Sequence, residues 1–159
     1  MIDLTSTPII ILVILGSVGV ALPVISIALK ERPSMMSYGI ATLIAMFASI
    51  GYVLYQIALE HVAPAAIFSQ DVLVDDAFGS LFAIAMLIVA IFTTIGSFSY
   101  MKNKANPSVY FSLILLSTIG MVLVAYSTDL VMLFVAWELM SIPTSVSYTH
   151  LTLPTNREV

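Results

Sequence analysis

The sequence predicts an all-α transmembrane protein of five spans with its N-terminus outside, and three observations carry that expectation. Of the 159 residues, 60% are hydrophobic and only 9% charged, with a mean hydropathy of +1.10. About a quarter of an ordinary soluble domain is charged. The apolar residues also gather in five runs, most of them near the ~20 residues that cross a hydrocarbon core. Finally, the basic residues ahead of the last fifteen positions fall only in alternate connections between those runs.

The first run, about 9–29, ends at "KERPS". It reads as a span rather than a cleaved signal, because Asp3 is its only early charge and no basic n-region precedes it. Pro23 falls late in this run and is expected to kink it, since proline removes an intrahelical hydrogen bond. The second run, 38–59, ends at "EHVAP"; the third, 78–100, ends at "KNKANP". The fourth covers 109–126, and "STD" separates it from the fifth, 130–146. Asp75–Asp76 precede the third run and Ser127–Thr128–Asp129 the fifth. Short oxygen-bearing side chains in those places cap orphan helix N–H groups, with a cation-entry role as the alternative. The connection 60–77 contains "IFSQDVLVDD", whose alternating part suggests a short extended segment.

Charge then sets the topology. Lys30 and Arg32 lie between runs one and two, and Lys102 and Lys104 between runs three and four. The other connections carry Glu60, Asp71, Asp75, Asp76 and Asp129 without a Lys or Arg. By the positive-inside rule the "KER" and "KNK" loops are cytoplasmic.

With no cysteine, disulfides, thiolate metal sites and iron–sulfur clusters are excluded from this chain. A net charge of −4 without a basic patch gives nucleic-acid binding no support. His61 and His150 are the only histidines, so a bis-histidine haem site between spans is not expected. The nine methionines, scattered through the spans, read as packing or lipid-facing residues rather than a metal path. No nucleophile–base pair, phosphate loop or metal cluster is recognisable, which disfavours a soluble enzyme.

One residue breaks the apolar pattern. Glu138, in "TDLVMLFVAWELMSIPT", lies nine residues beyond Asp129, so about 13 Å down a helix. That is near the middle of a core about 30 Å thick. A charge there costs roughly 2.5–3.5 kcal/mol on insertion scales, and a Glu side chain is too short to snorkel out. Phe134 and Ser141 share its helix face, and Trp137 lies well below the interface that tryptophan usually occupies. Pro143 offers no N–H to the carbonyl of Leu139, which then needs a water, a hydroxyl or a neighbouring helix. An acid beside a proline-weakened turn suggests a hydrated spot in mid-membrane; the alternative is an interhelical hydrogen bond from a protonated Glu. None of the five spans contains Lys, Arg or His, so a basic partner for Glu138 is expected from elsewhere.

At these residues the sequence resembles a known family. The pattern Glu138, Leu139, Ser141, Pro143 within "STDLVMLFVAWELMSIPT" is similar to the fifth-helix motif of the antiporter-like membrane subunits of respiratory complex I. "SLILLSTIGMVLVAYSTDLV" looks like the fourth helix and connection of that family. "DDAFGSLFAIAMLIVAIFTT" looks most like its subunit N branch or the archaeal complex I-like counterpart.

The resemblance covers residues 1–146. It implies correspondence to the N-terminal part of a subunit of about fourteen helices, with a five-helix unit present twice in inverted orientation. It also implies proton translocation driven by quinone reduction elsewhere, with the fifth-helix Glu paired to a lysine two helices on. Glu138 is then the proton-transfer residue, and Pro143, Ser141 and Trp137 support it. No cofactor is expected in this chain; NADH or another donor, iron–sulfur clusters and quinone are expected on partner subunits. The implied partners are other membrane subunits, the lipid bilayer and protons, in the plasma (inner) membrane of a prokaryote.

From Ser145 onward the apolar pattern stops. "SYTHLTLPTNREV" resembles a recurrent artefactual ending of gene models, so 147–159 is read as a non-native tail and the chain as a truncated fragment. His150, Arg157 and Glu158 accordingly receive no role. The alternatives are a subunit of a multisubunit cation/proton antiporter or of a membrane-bound hydrogenase, and a small non-catalytic membrane scaffold.

Overall fold

The structure, a computed structural model, describes residues 6–28, 34–59, 72–102 and 106–151, with side chains to 146. Five helices follow one another: α1 (Thr7–Ala28), α2 (Met35–Ala58), α3 (Ala77–Met101), α4 (Pro107–Tyr126) and α5 (Leu130–Leu151). The first four are long and apolar enough to cross a membrane. The apolar stretch of α5, Leu130–Val146, is shorter, yet its backbone stays helical to Leu151. The loss of apolar character after Ser145 therefore does not end the helix, because backbone hydrogen bonding carries it on. Lys30, Arg32, Glu60, His61, Asp71 and Lys104 lie outside the described residues.

Among the described residues α4 touches α1, α2, α3 and α5, whereas α5 packs on α4 alone. The buried stripes explain how helices this apolar find one another. Lipid tails are as apolar as leucine, so membrane helices associate through close packing of small residues and through hydrogen bonds. The stripe of α2 holds Gly39, Thr42, Ala45 and Ser49 between larger residues, and that of α3 holds Gly79, Ser80, Ala83, Ala90, Thr94 and Ser97. On α1 the stripe is Ile11, Leu15, Gly19 and Leu22, spaced by one helical turn. Leu15, Leu87, Phe111 and Leu115 fill the centre of the core, while Ile27, Phe92 and Val131 point outward. Buried hydroxyls mostly return to their own helix, as from Thr42 to the Tyr38 carbonyl and from Thr94 to that of Ala90.

One end of the bundle is organised by aspartates. Asp76 caps α3, accepting from the Gly79 N–H at 2.7 Å. Asp129 caps α5, accepting from Val131 and Met132 N–H at 3.0 and 3.2 Å. Asp75, grouped with Asp76 on sequence grounds, caps a different helix: it accepts from the Thr7 N–H of α1 at 2.8 Å. The described part of the expected extended segment pairs in antiparallel fashion, Leu73 opposite Ser127, with bonds Val74 N–H to Tyr126 O and Thr128 N–H to Val72 O. Helices α1, α3 and α5 thus begin at one end with carboxylates on their positive dipole ends.

Pro23 lies inside the continuous helix α1. It deprives the Gly19 carbonyl, four residues earlier, of its usual donor. Ser112 of α4 supplies that donor across the helix pair, its Oγ 2.5 Å from Gly19 O. Nearer the far end of α4, Gly120 lies against the backbone of α5. A Cβ there would sit 2.6 Å from Met140 N and 2.8 Å from Ala136 O.

Two predictions test these contacts. Gly120→Ala should force α5 off α4 and lower unfolding free energy in detergent micelles by about 1–3 kcal/mol, the usual cost of overpacking. Ser112→Ala should cost about 1–3 kcal/mol by leaving a buried carbonyl unsatisfied. In a Pro23→Ala background, where residue 23 regains its N–H, the same Ser112→Ala change should cost much less; equal losses in both backgrounds would refute the pairing.

Candidate functional site

Helix α5 starts cleanly because Asp129 caps it and Ser127 Oγ donates to the Asp129 carbonyl at 3.1 Å. From that fixed start the helix presents Ala136 and Met140 to Gly120 of α4. Ala136 is fully buried there. Glu138, two residues past Ala136, is rotated about 200° around the helix and so faces away from α4. It is half-buried, and among the described residues its carboxylate has no hydrogen-bond or ion-pair partner. Phe134 and Trp137 are 65% and 59% exposed, so the acid's side of α5 is uncovered by this chain's other described helices.

The turn after Glu138 is held by three hydroxyls. Ser141 Oγ donates to the Glu138 carbonyl at 3.3 Å. Thr144 Oγ1 donates to the Met140 carbonyl at 3.0 Å, and Ser117 Oγ of α4 reaches the same carbonyl at 3.1 Å. The two hydroxyl oxygens lie 3.5 Å apart. The Leu139 carbonyl that Pro143 frees was expected to need a water, a hydroxyl or a neighbouring helix; the cross-helix hydroxyl of Ser117 lands on Met140, one residue further along. Gly120 lets the Met140 backbone come into contact with α4 beside it.

Pro143 is buried, and with Thr144 it borders a cavity of about 570 Å³ between α3, α4 and α5. Thr93, Tyr110, Ser117 and Thr118 contribute hydroxyls to walls that are otherwise apolar. Several of these hydroxyls are engaged already: Thr93 with the Val89 carbonyl, Tyr110 with Ser97, and Thr118 with the Ile114 carbonyl. Glu138, Ser141 and Pro143 follow one another over about a turn and a half of α5, Pro143 buried and Trp137 turned outward. Ser117 and Gly120 escaped sequence reading. The only trace was a small-residue pair three positions apart in the fourth span, which by itself names no partner. No group of three or more carboxylates or histidines gathers among the described residues.

No family model matches the chain. Individual relatives do. NADH-quinone oxidoreductase subunit N 1 of Solibacter usitatus is 30% identical over 135 residues, 84% of this chain and 26% of that protein. NADH-quinone oxidoreductase subunit N of Desulfitobacterium hafniense is 31% identical over 144 residues, 88% of this chain and 27% of that protein. F(420)H(2) dehydrogenase subunit N of Methanosarcina mazei is 37% identical over 78 residues, 49% of this chain and 16% of that protein. The chain therefore spans about a quarter or less of the length of these relatives. Two of them match more than four-fifths of its residues, so the chain, with helices long and apolar enough to cross a membrane, is similar along most of its length to part of a subunit N of complex I-type oxidoreductases.

Proposed function

We propose that this chain supplies the first proton-handling part of a membrane subunit that translocates protons in a quinone-reducing assembly, with Glu138 as the titratable group. The observation that carries the reading is the unpartnered carboxylate of Glu138, on a face of α5 turned away from every described helix. An acid about 13 Å down a membrane helix is costly unless it meets a counter-charge or water. The face it presents is the one on which another helix or subunit docks. A basic group brought by that element would hold the proton-free form, and its withdrawal would return the proton.

The relatives support placing the chain in a part of the assembly that does not depend on the electron donor. Subunits named for NADH and for F(420)H(2) both match it. Donor, iron–sulfur clusters and quinone then belong to partner subunits, and this chain's own work is protonic. The lysine-bearing connections belong on the cytoplasmic side and the aspartate caps outside, in the plasma membrane of a prokaryote.

Glu138→Gln, introduced into the subunit assembled with its partners in membrane vesicles, should lower coupled proton translocation severalfold, with Glu138→Asp intermediate. Proton uptake is read from a pH-sensitive dye while quinone reduction is followed in parallel. Unchanged translocation per quinone reduced in Glu138→Gln removes Glu138 from the path.

A further inference from the structure

The bonds around the Met140 carbonyl do more than hold two helices together. We infer that Ser117 of α4 is a positioning residue for Glu138, acting through the backbone of α5 rather than on the carboxylate; the inference rests on the proton-transfer reading above.

Among the described residues helix α5 packs along one seam, against α4. Gly120 permits backbone approach but favours no particular register. A cross-helix hydrogen bond from α4 to the α5 backbone runs from Ser117 Oγ to Met140 O, 3.1 Å, two residues past the acid. It falls one residue past Leu139, whose carbonyl Pro143 leaves without its ladder donor. Thr144 Oγ1 shares the acceptor at 3.0 Å and lies 3.5 Å from Ser117 Oγ, so two hydroxyls meet on the one carbonyl.

Rotation of α5 about its axis would break the Ser117 bond and carry Glu138 with it. Because Glu138 faces away from α4, the latch fixes where the acid points without occupying the space its partner needs. Ser117 also borders the cavity between α3, α4 and α5, so an added methyl group at this position has room.

This room makes a clean test possible in the assembled enzyme. Ser117→Ala removes the donor, and Ser117→Thr keeps it. The expected result is that Ser117→Ala lowers proton translocation per quinone reduced about fivefold, the ratio set by one hydrogen bond of ordinary net strength. It should also move the pH midpoint of translocation, while Ser117→Thr restores both. Merely looser packing would lower translocation at every pH without moving the midpoint.

The double change Ser117→Ala with Glu138→Gln should be no worse than Glu138→Gln alone, because Ser117 acts only through the acid. Amide hydrogen exchange across 139–146 should rise in Ser117→Ala and stay low in Ser117→Thr whether or not protons are pumped. Failure of Ser117→Ala to change translocation, or failure of Ser117→Thr to restore it, overturns the positioning role while Glu138→Gln remains defective. An unchanged Glu138→Gln enzyme instead overturns the proton-transfer reading, and the exchange measurement still decides whether the latch exists.

Discussion

The structure depends on hydroxyls of α4 that reach backbone carbonyls of the neighbouring helices where water is scarce. A membrane interior offers helices no solvent to fall back on, so each missing intrahelical donor must be replaced from within the protein. Pro23 and Pro143 each weaken the backbone ladder of a helix that packs on α4. A serine of α4 stands at each place: Ser112 supplies the donor that the Gly19 carbonyl of α1 lacks, and Ser117 bonds the Met140 carbonyl of α5, one residue past the Leu139 carbonyl that Pro143 frees. The two serines are five residues apart, so they project about 140° from each other around α4. That divergence is why one helix can serve neighbours on two sides. It also explains why α4 is the most buried of the four long helices, even though it is the shortest of them.

Charge is distributed along the bundle axis by the same economy. Carboxylates that would be a burden in the apolar zone are used at its edge, where helix N-termini offer orphan N–H groups and a favourable dipole. Asp75, Asp76 and Asp129 serve three parallel helices, α1, α3 and α5. The pairing of Val72–Val74 with Tyr126–Thr128 ties the connections before α3 and α5 into one layer. Helix α2 begins at the opposite end with Ser34, whose side chain accepts from the Ser37 N–H, and α4 with Pro107, which needs no donor partner at the first helical position. Against that order Glu138 stands out. It is the acidic residue that the described structure places within a helix rather than at its start, and no helix end explains it.

Much of this was readable in advance because composition and length dominate membrane helices. The expected spans 9–29, 38–59, 78–100 and 109–126 differ from the observed helices by three residues or fewer at any end. Asp76 and Asp129 were legible as caps because their partners lie within three residues in sequence. Asp75 was assigned to the wrong helix because its partner, Thr7, is 68 residues away and only the fold brings it near. Ser112 and Ser117 were invisible for the same reason. A serine in an apolar run has the same sequence signature whether it bonds to its own helix, as Thr118 does, or to a neighbour's carbonyl. The motif put Glu138 and Pro143 close together along the fifth helix, but it contained nothing about what faces them.

The way α5 is mounted bears on why an acid stands there at all. A helix buried among several others would have its orientation over-determined, and an acid on it would be enclosed by packing that must be disrupted to hydrate it. Helix α5 is instead held along one side, by a glycine contact and a few hydroxyls, with Glu138 on the opposite side. Such a mounting separates the two demands on a proton-carrying group. Its backbone must be fixed closely enough to set the distance to a partner charge, while its carboxylate must stay open to water and to that partner. Proline sharpens the separation. By removing a ladder donor beside the acid it leaves the local geometry more dependent on the α4 hydroxyl, so that in the proposed role orientation would be set at the seam and charge exchanged on the opposite face.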